Sequence, residues 1–199
     1  MKSAPPLFFL TQLYARCIHN YKYAYASEYT VDIIVADSCA LILLAKSGLL
    51  KALTEFRRVI VPTAVFEEVV NQDTIEKFPD AISISDMASR GNIERVSKEL
   101  PDRKPPVTLG RGEWAAIMLV QEIGEGAVLA TDDGKAIKTC RFLNLPFIIS
   151  PKIATELYRH GCIEGHSART AIEMMRIEGR YAPDIIAEAL LRLQGDWKC

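Results

Sequence analysis

The chain has 199 residues, 49 % of them hydrophobic, and its 24 basic and 25 acidic side chains give a net charge of −1. This length suits one α/β-sized domain with an appendage, and the ordinary share of charged and aromatic residues excludes a disordered chain. A near-zero charge also excludes a generic basic coat protein for nucleic acid, because such proteins carry a clear excess of Lys and Arg. An enzyme with a local acidic site is still compatible with this balance.

Cysteine usage and hydropathy indicate a cytoplasmic protein. The five cysteines are scattered, and they form no C-x-x-C pair and no Cys/His cluster at zinc spacing. Free thiols fit a reducing compartment. No apolar run approaches the length of a membrane span, and the apolar run Pro5–Leu10 is too short for a signal peptide. We therefore expect no membrane association.

Residues 1–30 differ from the rest of the chain. They hold five of the seven tyrosines, with no clean periodicity. A packed arm, a dimer element and a poorly ordered leader are all compatible with this composition. We treat 1–30 as an N-terminal extension of unknown role.

Strands and helices alternate from residue 31 onward. The β-branched run Val31–Ala36 predicts a buried strand, and Cys39–Lys46 predicts a helix that ends near Gly48. Further strands are predicted at 57–61, 93–96, 127–130 and 146–149. Further helices are predicted at 49–56, 62–70, 79–90, 110–123, 135–143, 151–159, 167–177 and 183–193. Strands separated by helices indicate an α/β fold with a mainly parallel sheet.

Acidic residues follow two of these strands directly. Asp37 ends the first strand, and Asp132–Asp133 end the strand at 127–130. Because the carboxyl ends of parallel strands share one edge of a sheet, these side chains are expected to converge. Glu67–Glu68 and Glu113 lie early in helices that can point to the same edge.

Each acid taken alone has a simpler explanation. An Asp after a strand is usually a helix N-cap, and Glu in a first helical turn favours the helix dipole. Several carboxylates at one edge are harder to explain in this way, because they repel one another unless cations neutralise them. Hard oxygen ligands suit Mg²⁺ or Mn²⁺. The sequence therefore predicts a divalent cation site.

Four segments, in this order, resemble the PIN-domain nucleases, especially the small VapC-like prokaryotic members. They are Val35–Ser38, Val61–Val69, Gly110–Ile117 and Leu129–Ala136. The stretch from Gly179 to Leu191 resembles the C-terminal tail of one poorly characterised PIN subgroup. The resemblance implies a three-layer α/β/α fold with a mainly parallel sheet. In this division, residues 31–150 are the nuclease core and 151–199 are a helical tail.

The resemblance also implies site residues. The catalytic and metal-binding acids would be Asp37, Glu68, Glu113 and Asp133. Glu67 is the alternative to Glu68, and Asp132 is a further or alternative metal ligand beside Asp133. The supporting hydroxyls would be Ser38 and Thr131. Glu113 takes a position where the family usually has Asp, and its longer side chain would shift the metal.

The function that the resemblance implies is Mg²⁺- or Mn²⁺-dependent endoribonuclease activity, in which one or two ions assist hydrolysis of an RNA phosphodiester bond. Such proteins are commonly toxins inhibited by a small antitoxin protein, and they commonly form homodimers. The apolar helices at 41–53 and 174–193 could supply dimer surfaces, although core packing explains them equally well.

A substrate path past an acidic site requires local cations, because the site repels a polyanion. The candidate substrate-binding residues are Arg111, Lys135, Lys138 and Arg141. The alternative for each is an ordinary solvated charge. An inactive PIN-like module that binds RNA or protein is the main alternative function. A nucleotide-binding domain is less compatible, since no Gly-rich phosphate loop follows a strand.

Overall fold

The structure, a computed structural model, describes residues 31–97 and 108–194. The predictions for the extension 1–30 and for most of the charged loop at 98–108 lie outside these ranges. Within them, a central sheet is flanked by helices, which confirms the predicted α/β/α class. No helix of the described ranges is both long and apolar enough to cross a membrane.

The described residues form one sheet of five strands, and every neighbouring pair is parallel. The strands are β1 (Ile33–Ala36), β2 (Arg58–Pro62), β3 (Ile93–Val96), β4 (Ala127–Ala130) and β5 (Phe147–Ile148). Their order is β3-β2-β1-β4-β5. The chain therefore adds β2 and then β3 on one side of β1, and it adds β4 and then β5 on the other side. The carboxyl ends of β1 and β4 flank the resulting switch point, where open parallel sheets place their ligands.

Ten helices in the described ranges connect and cover these strands. They are α1 (Ser38–Lys46), α2 (Leu50–Phe56), α3 (Thr63–Val69), α4 (Gln72–Lys77), α5 (Pro79–Ser89), α6 (Arg111–Ile123), α7 (Gly134–Leu143), α8 (Ser150–Arg159), α9 (Gly165–Glu178) and α10 (Pro183–Arg192). Proline in the first turn begins α5, α8 and α10, where its missing N–H needs no partner. Glycines with positive φ follow α1 and α5.

Two local predictions are corrected. Pro62 is predicted in the first turn of a helix, but it is the last residue of β2, where it pairs with Val96, and the N-cap of α3, which begins one residue later. The sequence predicted no helix at 72–77, yet α4 forms there. A capping box between Asn71 and Thr74 begins this helix, and none of its residues is buried. Without a buried face, α4 leaves no apolar periodicity to detect.

The apolar core extends over both faces of the sheet. The strands β1 and β4 are almost wholly apolar, as expected when both faces are covered. Leu41, Leu44 and Leu53 are buried in this core, so core packing accounts for them. Residues of α9 and α10, including Met175 and Ile186, belong to the same core cluster. The C-terminal helices therefore pack on the sheet domain.

Candidate active site

The switch point brings the end of β1 beside the end of β4. Ala36 pairs with Ala130, and the backbone N–H of Asp37 donates to the carbonyl of Ala130 at 3.1 Å. Asp37 and Thr131 therefore lie next to each other as the two strands end. Both residues are fully buried, with 0 % of each exposed.

Asp37 is the N-cap of α1. Its Oδ1 accepts a hydrogen bond from the N–H of Ala40 at 2.9 Å, while its Oδ2 is buried without a hydrogen-bond partner. Burial raises the pKa of Asp37 to about 7, and the charges of Asp132 and Glu113 add to this effect. The amide of Ala40 and the hydroxyl of Thr131 oppose it. A buried carboxylate with one unpaired oxygen costs free energy, so it favours either protonation or a cation.

The two acids after β4 cap two different helices. Asp133 is the N-cap of α7, and its Oδ1 accepts from the N–H groups of Lys135 and Ala136, each at 2.8 Å. Asp132 accepts at Oδ1 from the N–H of Ser150, at 2.9 Å, and at Oδ2 from the Ser150 hydroxyl, at 2.5 Å. Asp132 thus caps α8, a helix whose own N-cap residue supplies no side-chain hydrogen bond. Burial raises the pKa of Asp132, although the Ser150 hydrogen bonds oppose the shift.

Glu68 reaches the end of β1 from the neighbouring helix α3. Its Oε2 accepts from the hydroxyl of Ser38 at 2.8 Å. Gly112 of α6 lies against the same carboxylate, because a Cβ at residue 112 would stand 2.6 Å from Oε2. A side chain at residue 112 would therefore displace the Glu68 carboxylate. The Ser38 hydrogen bond supports Glu68 over Glu67, but the choice of ligand stays a prediction.

Glu113 lies in the first turn of α6. Its carboxylate accepts from the backbone N–H of Gly110, which closes the start of the helix. Its charge also contributes to the raised pKa of Asp37. The residue therefore acts as a cap in this structure while its charge still reaches the switch point.

Four of the predicted acids lie close enough to Cys39 for their charges to act on the pKa of its thiol. Partial burial, followed by the charges of four acids, raises the pKa of its thiol to about 12; those acids are Asp37, Asp133, Glu113 and Asp132. These four acids thus share one electrostatic environment. In the described ranges, however, no group of three or more His, Cys, Asp or Glu side chains is placed to hold a metal ion. The acids form a concentration of negative charge and not a ready ligand cage.

The donor set still fits a hard divalent cation. Carboxylate and hydroxyl oxygens are the ligands that Mg²⁺ and Mn²⁺ prefer, and the unpartnered Oδ2 of Asp37 provides one such oxygen. Glu68 is exposed and Glu113 is half-buried, so both carboxylates lie near the surface.

The predicted cationic residues lie on two sides of this edge. Arg111 lines a shallow depression with Ala64, Gly112 and the two glutamates Glu67–Glu68. Lys135 and Lys138 are exposed on α7, which begins at Asp133. Arg141, further along α7, is also exposed, and its guanidinium lies 5.7 Å from the ring centroid of Phe147. The structure therefore places cations beside the acids, while their contact with a substrate stays a prediction.

Three residues of this region carry no role in the sequence predictions. Gly112 and Ser150 are noted above, and the third is Tyr181, between α9 and α10. Its phenolic oxygen is buried without a hydrogen-bond partner and faces Asp132 and Ser150. Because it makes no hydrogen bond of ordinary geometry with Asp132, we treat the two groups as neighbours and not as a bonded pair. A tyrosine brought from the tail leaves no periodic signal that could identify it.

Comparisons with known proteins agree with this description. A family model, DUF3368, described as a PIN domain, matches residues 33–196. Among solved structures, the chain is similar to a PilT N-terminus domain protein from the hyperthermophilic archaeon Sulfolobus solfataricus P2. The identity is 18 %, the match covers 60 % of this chain and 88 % of that chain, and the TM-score is 0.35. No curated protein matches the chain. The family match spans the sheet and the three C-terminal helices alike.

Proposed function

The chain belongs to the PIN domain family, whose members are generally nucleases, and we propose that it is an endoribonuclease that depends on Mg²⁺ or Mn²⁺ and hydrolyses RNA phosphodiester bonds. One observation carries the proposal. At the switch point of the sheet, Asp37 is fully buried with one carboxylate oxygen unpartnered, and the charges of Asp132 and Glu113 act on it.

The free energy of this arrangement favours a cation. Ionising Asp37 requires a charge in a desolvated position that already lies near other negative charges. A divalent cation would remove that repulsion and give the free oxygen a partner. We propose that the ligands are drawn from Asp37, Glu68, Glu113 and Asp133. Asp132 is the weaker candidate, because both of its oxygens already accept from Ser150.

The bound cation would stabilise charge at the scissile phosphate and acidify the attacking water. The protein itself would hold the acids in place. Ser38 orients Glu68 through its hydroxyl, and the hydroxyl oxygen of Thr131 accepts from the N–H of Asp133 at 3.2 Å. No side-chain nucleophile is required for this chemistry.

RNA would approach across the cations at the rim. Arg111 lies on the Glu68 side, and Lys135, Lys138 and Arg141 lie along α7 on the Asp133 side. These side chains would neutralise backbone phosphates and so offset the repulsion from the acids. Cleavage of RNA rather than DNA rests on the resemblance to VapC-like proteins.

The partners and the cellular setting rest on that same resemblance. We propose a cytoplasmic toxin held inactive by a small antitoxin protein, with a homodimer as the active form. Ile177 and Leu191 are large apolar side chains that stay exposed on α9 and α10, and they are available to such a surface. Co-expression with the product of an adjacent small reading frame tests the pairing: an antitoxin would restore growth and co-purify with the chain.

The decisive experiment is RNA cleavage by variants that preserve the helix caps. In Asp37→Asn and Asp133→Asn the new residue is an equally good N-cap, so the fold is kept while a charge is removed. We expect each variant to lose about 10²–10³-fold in kcat with Mg²⁺. Asp32→Asn, at an exposed position before β1, is the matched control and should cleave like the wild type. Full cleavage by the first two variants would contradict the proposal.

A second candidate function has its own support. Every predicted acid already accepts an internal hydrogen bond, and the described residues contain no preformed metal group. Both facts suit a PIN-like module that binds RNA or protein without turnover. Saturable Mn²⁺ binding that Asp37→Asn abolishes would favour the nuclease. RNA binding with neither Mn²⁺ binding nor cleavage would favour the module.

A further inference from the structure

Tyr181 is held in a defined position by the residues around it. A Cβ at Gly179 would stand 2.7 Å from the Cδ2 atom of the Tyr181 ring and 2.7 Å from the carbonyl oxygen of Met175. The φ of Gly179 is −90°, so the backbone angle itself does not require glycine. Glycine is needed because the ring lies directly against the main chain. The tail therefore packs the Tyr181 ring against Gly179.

The hydroxyl of Tyr181 reaches the candidate active site. It faces Asp132 and Ser150, and both oxygens of Asp132 already accept from Ser150. The charge of Asp37 is close enough to contribute to the raised pKa of Tyr181, after burial and the charge of Asp132. The phenol is thus brought from the C-terminal segment to Asp132, which follows β4 beside Asp37.

Two buried polar side-chain atoms of the described ranges have no hydrogen-bond partner. They are Oδ2 of Asp37 and the phenolic oxygen of Tyr181. Buried polar groups without partners are costly and uncommon, and each one calls for an explanation. One is a carboxylate oxygen, and the other can both donate and accept. A hydrated divalent cation would satisfy both, the carboxylate through the ion and the phenol through its water.

We propose that Tyr181 is a positioning residue of the candidate nuclease site, supplied by the C-terminal segment, whose hydroxyl hydrogen-bonds the hydration shell of a cation carried by Asp37. The proposal rests on the function proposed above. It makes the C-terminal helices part of the active site, since the segment after α9 supplies a group that the sheet domain lacks.

The test compares Tyr181→Phe with a matched control in the full-length chain. Tyr158→Phe is that control, because Tyr158 lies in the same helical tail and its ring also packs on a glycine, 3.3 Å from a Cβ placed at Gly165. Mn²⁺ affinity is measured by electron paramagnetic resonance without RNA, and kcat and KM are measured on an RNA oligonucleotide. We expect Tyr181→Phe to weaken Mn²⁺ binding and to lower kcat, each by about 10-fold or more. KM for RNA should not change, and Tyr158→Phe should match the wild type.

Gly179→Ala gives an independent variant that keeps the hydroxyl and displaces the ring. It should weaken Mn²⁺ binding as Tyr181→Phe does, and it decides the question if Tyr181→Phe fails to fold. Wild-type Mn²⁺ affinity in either folded variant, or an equal loss in Tyr158→Phe, would overturn the proposal. If the wild type binds Mn²⁺ but cleaves no RNA, the nuclease function fails while Mn²⁺ affinity still decides the role of Tyr181. If the wild type binds no Mn²⁺, both proposals are wrong.

Discussion

The ends of β1 and β4 lie side by side and look alike in sequence, yet they differ in how their aspartates are satisfied. Asp37 and Asp133 each follow a buried apolar strand and cap the helix that comes next. Asp133 is half-buried, and its Oδ1 accepts from two backbone amides. Asp37 is fully buried, accepts from one amide, and has a second oxygen without a partner.

The difference teaches that an N-cap and a functional carboxylate are not exclusive roles. A capping hydrogen bond occupies one carboxylate oxygen, and the neighbouring residues determine whether the second oxygen has a partner. At Asp133 the cap alone is a sufficient reason for an aspartate. At Asp37 burial penalises the charge that the cap favours, so stability alone does not explain the aspartate. The predictions below test this contrast.

The largest effect is expected in the pH dependence of stability without metal. Burial raises the pKa of Asp37 from 3.8 to about 7 in the folded chain, so between these pH values the folded state keeps a proton that the unfolded state has lost. Stability therefore falls as pH rises from about 4 to about 7, and the full penalty remains above that range, on the order of 4 kcal/mol. Asp37→Asn removes the penalty and keeps the cap.

We expect Asp37→Asn to raise Tm by about 8–16 °C at pH 8 in the presence of EDTA. At pH 3, below both pKa values, the variant and the wild type should melt together, because Asp37 is then largely protonated in the folded and the unfolded state. Asp133→Asn serves as the comparison and should show no such gain. Thermal melts followed by circular dichroism measure all three proteins, and an equal gain in both variants would break the contrast.

The next effect concerns two glycines, Gly112 against Glu68 and Gly134 after Asp133. Gly112→Ala places a Cβ 2.6 Å from Oε2 of Glu68, so Glu68 must leave Ser38 or α6 must shift. We expect a loss of about 1–3 kcal/mol in the free energy of unfolding, measured by urea denaturation. Gly134→Ala, at the start of α7, is the control, since a Cβ there meets nothing within 4 Å. A tolerated Gly112→Ala would show that the Glu68 contact is loose.

Substrate binding should depend on both sides of the edge. Replacing Lys135 and Lys138 by Ala should raise KM for RNA. Each replacement should also reduce, by about one, the slope of the logarithm of the binding constant against the logarithm of the salt concentration. Arg111→Ala should have the same effect if RNA also crosses the Glu68 side of the site. Lys77→Ala, on the exposed helix α4, is the control. Binding titrations at several salt concentrations would show which side the RNA uses.

The smallest effect is expected in the reactivity of a thiol. The pKa of Cys39 is raised to about 12, so little thiolate exists at pH 8.5. Alkylation by iodoacetamide should be slower at Cys39 than at Cys162, which is also exposed but lies in the loop after α8. Peptide mass spectrometry measures both rates in one sample. Equal rates in the native protein would mean that the acids do not converge as described.

Much of the fold was predictable because its signals are local. The apolar runs at β1 and β4 predict strands buried on both faces, and the turn residues after them predict helices. The positions of the acids at the strand ends follow directly from these elements. The exposed helix α4 was missed because no buried face imposes a period on it.

The candidate site was predictable only in part. The sequence indicated that Asp37 and Asp133 meet, because parallel strands share an edge. It did not indicate that Asp132 caps α8 through Ser150, or that Tyr181 faces the pair. Those contacts join the sheet to the tail across long stretches of chain.

The sequence by itself determined the class of fold, the family and the set of acids at one edge, since strand period, capping chemistry and motif order are properties of neighbouring residues. Only the tertiary structure decided how each acid is satisfied. Burial leaves Asp37 with an unpaired oxygen, Gly112 allows Glu68 to approach Ser38, and the tail brings Tyr181 to the same edge. Desolvation and close contact depend on which distant segments pack together, and a pattern along the chain does not record that.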